Sequence, residues 1–224
     1  MMLDPIYFIF ALPAMLLGLW AQAKTKGTFN KYSRYAAASG LTGAQAAERM
    51  LASNNIQNVK IEPVQGFLSD HYDPRTRTLR LSPAVYGSTS LSAIGVACHE
   101  AGHALQHAAS YAPLHLRSTL VPVTQLSSKL AMPIFFLGLI AQTPLFMKIG
   151  IFLFIGVVLF SLVTLPVEWN ASARAKQYMV SAGIVTVREQ DAAGRVLNAA
   201  FMTYLASAVS SVMTLLYLIT RSRR

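Results

Sequence analysis

The sequence predicts a mainly α-helical, polytopic membrane protein with about four transmembrane helices and one small polar module that mixes helices and strands. Of its 224 residues, 54% are hydrophobic and only 12% are charged, whereas an ordinary soluble domain carries about 25% charged residues. The apolar residues gather into stretches near residues 5–21, 130–167 and 200–219. Since a spanning helix needs about 20 residues, the middle stretch is long enough for two. This composition excludes a typical soluble enzyme and a disordered chain.

The basic residues of the chain point to a lipid bilayer as its surroundings. The net charge is +10, from 19 Lys and Arg against 9 Asp and Glu. A nucleic-acid-binding protein gathers basic residues into one patch beside aromatic side chains. Here they lie mainly between the apolar stretches, where they fix the orientation of a membrane protein. We therefore expect a bilayer and no nucleic acid as partner, and the sequence indicates no particular oligomeric state.

The first apolar stretch is predicted to be an uncleaved transmembrane helix within residues 1–22. Residues 21–23 (AQA) resemble a signal-peptide cleavage site, but a signal peptide begins with a positively charged segment. This chain has Asp4 before the stretch, and its basic cluster (Lys24, Lys26, Lys31 and Arg34) follows it. We therefore expect an anchor whose N-terminus lies outside.

Residues 23–117 form the one stretch long enough for a folded polar module. A short helix is predicted over residues 42–53, capped by Thr42. Strands are predicted at residues 59–65, 67–72 and 78–81, with a turn at Asp73–Thr76 joining the last two. A longer helix is predicted over residues 91–110.

The rest of the chain is divided by its polarity into three parts. Residues 118–167 are predicted to form a hairpin of transmembrane helices 2 and 3, residues 168–199 a cytoplasmic segment, and residues 200–224 helix 4 with a basic tail. Segments 22–117 and 168–199 share one side and hold ten and four basic residues, so the positive-inside rule places both in the cytoplasm. The tail arginines (Arg221, Arg223 and Arg224) disagree with this orientation.

The strongest chemical signal is the HExxH motif at residues 99–103 (HEAGH). Two histidines four residues apart project from one helix face about 6 Å apart along the axis, so His99 and His103 can bind one zinc ion. Glu100 is rotated by about 100° from His99, which leaves it beside the metal, where a general base must lie. The alternative is an ordinary polar helix face, but histidines bordered by Ala and Gly make a poor solubilising face.

Glu168 is the predicted third ligand. A catalytic zinc usually has three protein ligands and one open position, and no Asp or Glu occurs between Glu100 and Glu168. Glu168 directly follows an apolar run, at the membrane border, where an unpaired charge is costly. The alternative is an acid that caps a helix near Pro166.

Four segments resemble the signature stretches of the YugP-type neutral zinc metallopeptidases of bacterial membranes. They are SDHYDPRTRTLRLSPAVY (69–86), VACHEAGHALQHA (96–108), YAPLHLRS (111–118) and LPVEWNASARA (165–175), and with the apolar helices the resemblance covers nearly the whole chain. The metal site of this family is related to that of the HtpX-type gluzincins, which pair HExxH with a downstream Glu. The resemblance implies a zincin-like module with one Zn²⁺ on His99, His103 and Glu168, and Glu100 as catalytic base.

The chain departs from the family pattern after Glu168. The family commonly has an aspartate where this sequence has Asn170, and HtpX-type enzymes have an acid where Ser172 stands. Such an acid would orient a ligand histidine, and Ser172 is the candidate for that role here. Arg174 is expected either to hold a substrate carbonyl or to face phosphate headgroups.

His71 is the remaining candidate for a catalytic role. A histidine beside the metal can donate a hydrogen bond to the oxyanion of the tetrahedral intermediate, and the resemblance singles out the same stretch. The alternative is a histidine that supports the predicted hairpin. His107 and His115 are expected to be surface and membrane-border residues, and Cys98 a packed residue rather than a nucleophile.

The residues and the resemblance together predict an integral-membrane zinc metalloendopeptidase that acts at the cytoplasmic face of its membrane on membrane-border or cytosolic segments of proteins. The resemblance implies that this is a bacterial inner membrane. We expect the substrate to pair with an exposed sheet edge at Thr78–Leu81. One alternative is an inactive, zinc-stabilised scaffold or adaptor, which would need a fourth ligand from Asp70, His71 or Asp73. A metal transporter is disfavoured, because residues 149–165 and 204–219 contain no charge and no histidine.

Overall fold

The structure is a computed structural model that describes residues 5–66 and 69–223. Its helices are α1 (Pro5–Tyr32), α2 (Gly43–Ser53), α3 (Pro83–Tyr86), α4 (Leu91–Ala108), α5 (Ala112–Ile140), α6 (Pro144–Ser181) and α7 (Val187–Ser222). Its strands are β1 (Lys60–Pro63), β2 (His71–Asp73) and β3 (Thr78–Leu81). The prediction of a mainly α-helical protein with a small mixed module is confirmed.

Within these described ranges, four helices are long and apolar enough to cross a membrane: α1, α5, α6 and α7. The prediction of four transmembrane helices is therefore confirmed. Helix α1 packs against α7, α7 against α6, and α6 against α5. The turn between α5 and α6 falls at residues 141–143, inside the hairpin predicted over residues 118–167.

The spanning helices run further than their apolar stretches. Helix α6 has 38 residues and continues through Pro166 as far as Ser181, and α7 begins at a capping box between Thr186 and Glu189. Most of the predicted segment 168–199 is therefore helical, because these helix ends pack against α4. The division of the chain into domains at residues 22, 117, 167 and 199 stays a prediction.

The polar module contains a three-stranded sheet in the order β1-β3-β2. Strand β3 has its predicted bounds, pairing in parallel with β1 and antiparallel with β2. Helix α2 has its predicted N-cap, Thr42. In the second predicted strand, Phe67 and Leu68 lie outside the described residues and the strand begins only at His71. The expectation that Thr78–Leu81 is an exposed edge is wrong, because β1 and β2 cover both sides of β3.

Helix α4 is the centre of the module and carries the HExxH motif. It packs against α2, α6 and α7, and its small residues allow this close approach. A Cβ atom at Gly102 would lie 2.6 Å from the carbonyl oxygen of Ala171 on α6. Because Gly102 has no side chain, the backbones of α4 and α6 meet directly beside the motif.

Candidate metal centre

The structure brings His99, His103 and Glu168 together. Each offers one ligand atom, and these atoms lie within 4.8 Å of one another. Oε2 of Glu168 is 3.1 Å from Nε2 of His99 and 3.5 Å from Nε2 of His103. Tetrahedral zinc with bonds of about 2.0–2.1 Å places its ligand atoms about 3.4 Å apart. Both distances from the Glu168 oxygen are close to this value, and the three residue types are zinc ligands, so the cluster fits a zinc ion.

Glu168 is buried, with 1% of its surface exposed, and its two carboxylate oxygens face different partners. Oε2 faces the histidines, whereas Oε1 lies 3.1 Å from Nη1 of Arg117 at the start of α5. The guanidinium group thus neutralises a carboxylate that would otherwise be costly to bury. The pairing leaves one oxygen free for a metal.

Both histidines have a hydrogen-bond partner on the ring nitrogen that faces away from the cluster. Nδ1 of His99 lies 3.1 Å from Oγ of Ser172, and Nδ1 of His103 lies 3.0 Å from Oε1 of Gln106. Such a bond fixes the ring orientation and, when Nδ1 carries the proton, leaves Nε2 as a metal ligand. Ser172 is therefore in contact with His99, and its role in orienting that histidine stays a prediction.

The orientation of the Gln106 side chain is fixed by α6. Its Nε2 donates to the carbonyl oxygen of Val167 and to Oδ1 of Asn170, over 2.8 and 3.0 Å. Its Oε1 is therefore left to accept from His103. Nε of Arg174 donates to the same oxygen of Asn170 over 2.8 Å, so Arg174 has a protein partner besides the substrate and headgroup alternatives considered from the sequence.

Glu100 lies beside the cluster. It is 9% exposed and lines a cleft of about 500 Å³ together with His103 and Glu168. The cleft has His71 on one wall and Tyr204 of α7 on another. Water and a substrate thus have access to the Glu100 carboxyl group and the cluster from the same side.

The candidates for a fourth protein ligand have other contacts. Asp70 accepts hydrogen bonds from the backbone N–H and the hydroxyl of Ser82, over 2.7 and 3.0 Å. Asp73 accepts from Thr76 and lies 3.5 Å from Arg80. Nδ1 of His71 lies 2.7 Å from the carbonyl oxygen of Ser69. In the described part of the chain, the metal-ligating group has three members.

His103 and His107 lie on the same helix, α4, but their surroundings shift their pKa values in opposite directions. Burial lowers the pKa of His103, but the hydrogen bond and charge of Glu168 outweigh it and raise that pKa above its usual value. Burial lowers the pKa of His107, and the cationic Arg77 nearby lowers it further. His107 lies outside the cluster, with its Nδ1 2.9 Å from the hydroxyl of Tyr72.

Cys98 is fully buried. Burial raises the pKa of its thiol to about 12, so it carries no thiolate at neutral pH. The expectation of a packed residue agrees with this position in the core.

Sequence reasoning missed three residues of this site: Gln106, Arg117 and Tyr204. Gln106 lies on the polar stripe of α4, Arg117 is a charge beside an apolar segment, and Tyr204 is a polar residue in an apolar one. Each of these signals is weak in isolation. The contacts arise only when α5, α6 and α7 pack around α4.

Comparisons with known proteins agree with the geometry. A family model described as "Putative neutral zinc metallopeptidase" matches residues 7–223. The "Putative membrane protease YugP" of Bacillus subtilis (strain 168) is 46% identical over 211 residues, which cover 94% of each chain. A comparison with solved structures found no match.

Proposed function

Because this chain belongs to the family of neutral zinc metallopeptidases, we propose that it is an integral-membrane zinc metalloendopeptidase with Glu100 as general base. Family membership makes it a zinc-dependent peptidase of the membrane, with peptides or proteins as substrates. The observation that carries the finer proposal is the convergence of His99, His103 and Glu168 in one cluster, whose members His103 and Glu168 line a cleft together with Glu100.

We assign one Zn²⁺ per chain to His99, His103 and Glu168, which is a gluzincin arrangement. A bound zinc ion supplies Lewis acidity, which polarises the scissile carbonyl and lowers the pKa of a water molecule to about 7. Glu100 accepts a proton from the attacking water and returns it to the leaving amine. Its place in the cleft, outside the three-residue cluster, leaves its carboxylate free for this transfer.

Two side chains on the cleft wall are candidates for stabilising the oxyanion. Nδ1 of His71 lies beside the Ser69 carbonyl, which holds the ring proton on that nitrogen, so Nε2 carries a proton only when the ring is cationic. The hydroxyl group of Tyr204, which interacts with the Glu168 carboxylate in the structure, donates without this condition. We therefore keep His71 as a candidate and add Tyr204 beside it.

The sheet edge beside the cleft is β2, in place of the β3 edge expected from the sequence. Residues 71–73 of β2 line the cleft and pair with β3 on one side. A substrate strand that added to the other side of β2 would present its backbone to Glu100. Such recognition depends more on backbone than on side chains, so we expect broad specificity.

We place the site at the cytoplasmic face of a bacterial inner membrane. The module between α1 and α5 and the turn between α6 and α7 lie on one side of the four helices, and their segments hold the fourteen basic residues counted above. Membrane-border or cytosolic segments of proteins are then the substrates within reach.

Two substitutions test this proposal in the purified full-length protein, with bound zinc and casein cleavage both measured. We expect Glu100→Gln to retain zinc and to lose cleavage by about 10²–10⁴-fold, the usual contribution of a general base. Glu168→Ala should lose both zinc and cleavage. Glu48→Gln on α2, an exposed glutamate that does not line the cleft, is the matched control.

Each outcome bears on a separate part of the proposal. Cleavage by Glu100→Gln at the parent rate would exclude Glu100 as the base. Unchanged zinc in Glu168→Ala would remove only the third ligand. A zinc-bound parent protein that cleaves nothing would favour the scaffold alternative.

A further inference from the structure

The cleft at the metal centre continues along one face of α5. Five residues of this helix line it, and their spacing of three or four residues marks one helix face; they are Leu114, Arg117, Ser118, Val121 and Gln125. Gln125 lies eight residues beyond Arg117, about 12 Å along the helix axis. The cleft therefore extends well past the residues that would hold the metal.

The neighbouring helix α6 shows how deep this extension reaches. Arg117 pairs with Glu168 at one end, and further along α5 Ser127 faces Gly156 of α6. Val121 and Gln125 therefore lie beside the part of α6 between Gly156 and Glu168. Residues 149–165 of α6 carry no charge and belong to a membrane-spanning candidate. This part of the cleft thus lies at the level of the apolar layer.

The residues of α5 that line the cleft, here called the α5 wall, are more polar than expected for a helix face at the depth of the apolar layer. The side chains of Ser118 and Gln125 are exposed, and polar groups that face lipid are costly unless they have a partner. Pro122 has no N–H group to donate to the carbonyl oxygen of Ser118. The Ser118 hydroxyl donates to the carbonyl oxygen of Leu114 over 2.9 Å, so the wall offers a ligand the amide of Gln125 and the backbone carbonyl of Ser118. A polypeptide backbone can bind both, whereas a lipid acyl chain can bind neither.

We propose that this extension binds the segment of a substrate that joins the scissile bond to a transmembrane helix. The preferred substrates are then membrane-anchored proteins that are cut close to the bilayer surface. An extended chain covers 12 Å with about four residues, so the cut falls about four residues from the end of the substrate's transmembrane helix. The inference rests on the proposed peptidase function and narrows its substrates to anchored proteins.

The test uses one cleavable peptide in three forms, with the purified protein reconstituted in vesicles. The peptide is free, or joined to a transmembrane helix by a linker of about 4 residues, or joined to it by a linker of about 16 residues. The long linker controls for the local concentration that anchoring alone provides. We expect the parent protein to cut the short-linker form at least tenfold faster than the long-linker form.

A pair of valine variants tests where the anchored segment binds. Val121→Trp fills the cleft and is expected to abolish the short-linker preference. Val123→Trp is the matched control, since Val123 is exposed on α5 and does not line the cleft; its preference should equal that of the parent. Gln125→Leu, which removes the amide at similar size, should reduce the preference even if Val121→Trp fails to fold.

The outcomes separate this inference from the function on which it rests. If the parent protein cuts all three forms no faster than Glu100→Gln does, the peptidase proposal fails and the inference fails with it. If the free peptide is cut but the two linkers give equal rates, the inference alone is wrong. An unchanged preference in a folded, zinc-bound Val121→Trp would also overturn it, as expected if lipid fills the extension.

Discussion

The side-chain amide of Gln106 on α4 donates a hydrogen bond to Oδ1 of Asn170 on α6, over 3.0 Å. Its other contacts orient Oε1 towards Nδ1 of His103, and Arg174 donates to Asn170 from one turn further along. The uncharged side chains of Asn170 and Gln106 thus connect Arg174 to His103, a candidate metal ligand. These contacts make Gln106 a candidate positioning residue, which would act through His103.

Gln106→Leu is expected to weaken zinc binding by about 10–100-fold, the usual effect of losing the partner of a ligand histidine. Without Oε1, Nδ1 of His103 has no acceptor and the ring loses its fixed orientation. The dissociation constant is measured by competition with a chelator of known affinity. Gln57→Leu, at an exposed position outside the cluster, is the control, and equal affinity in the two variants would contradict the role.

The close contact between α4 and α6 requires glycine at position 102 of the HEAGH motif, and a substitution there is our second prediction. A Cβ atom there would meet the Ala171 carbonyl oxygen at 2.6 Å, closer than such contacts allow, so Gly102→Ala should push α6 away from α4. Because Glu168 is on α6 and the histidines are on α4, the variant should lose zinc and cleavage together.

Gly87→Ala is the matched control for this substitution. Gly87 follows α3, and a Cβ atom there would meet nothing within 4 Å. Zinc content and cleavage should stay at the parent level in this protein. Full zinc occupancy in Gly102→Ala would show that the distance between α4 and α6 does not determine the site.

The sequence predicts those parts of the fold that depend on local properties. The apolar stretches predict the four spanning helices, and the alternation of apolar and polar residues predicts β3. The N-cap residue Thr42 predicts where α2 begins. The same holds for the motif, because residues four apart on a helix share a face whatever surrounds them. Glu168 could be found as well, since a charge at the end of an apolar run is unusual by itself.

The parts that the sequence does not predict depend on how distant segments pack. The parallel pairing of β1 with β3 joins residues 18 apart, Lys60 and Thr78, and it makes β2 the free edge beside the cleft. The continuation of α6 beyond Pro166 results from packing against α4. Arg117 reaches Glu168 only because α5 runs antiparallel to α6, and neither local composition nor spacing contains that relationship.

The thiol of Cys98 should resist modification in the native protein. Its side chain is fully buried, and burial raises its pKa to about 12, so both access and thiolate formation are suppressed at pH 8. We expect a thiol-specific reagent to modify it only after denaturation. Rapid modification of the folded, zinc-bound protein would contradict this, and Cys98→Ala should leave cleavage unchanged.

Tyr204 provides the sharpest distinction between the two oxyanion candidates. Its side chain lines the cleft with Glu100, His103 and Glu168, and it is partly buried on α7. Removal of one oxyanion donor typically lowers kcat by about 10²–10³-fold. We expect Tyr204→Phe to show such a loss in kcat with KM and zinc content near the parent values, since the ring is retained.

The matched control is Tyr35→Phe, at an exposed position that does not line the cleft; it should behave as the parent. Loss of zinc in Tyr204→Phe would instead assign the hydroxyl group to supporting Glu168. An unchanged kcat together with a large loss in a His71 variant would assign the oxyanion contact to His71.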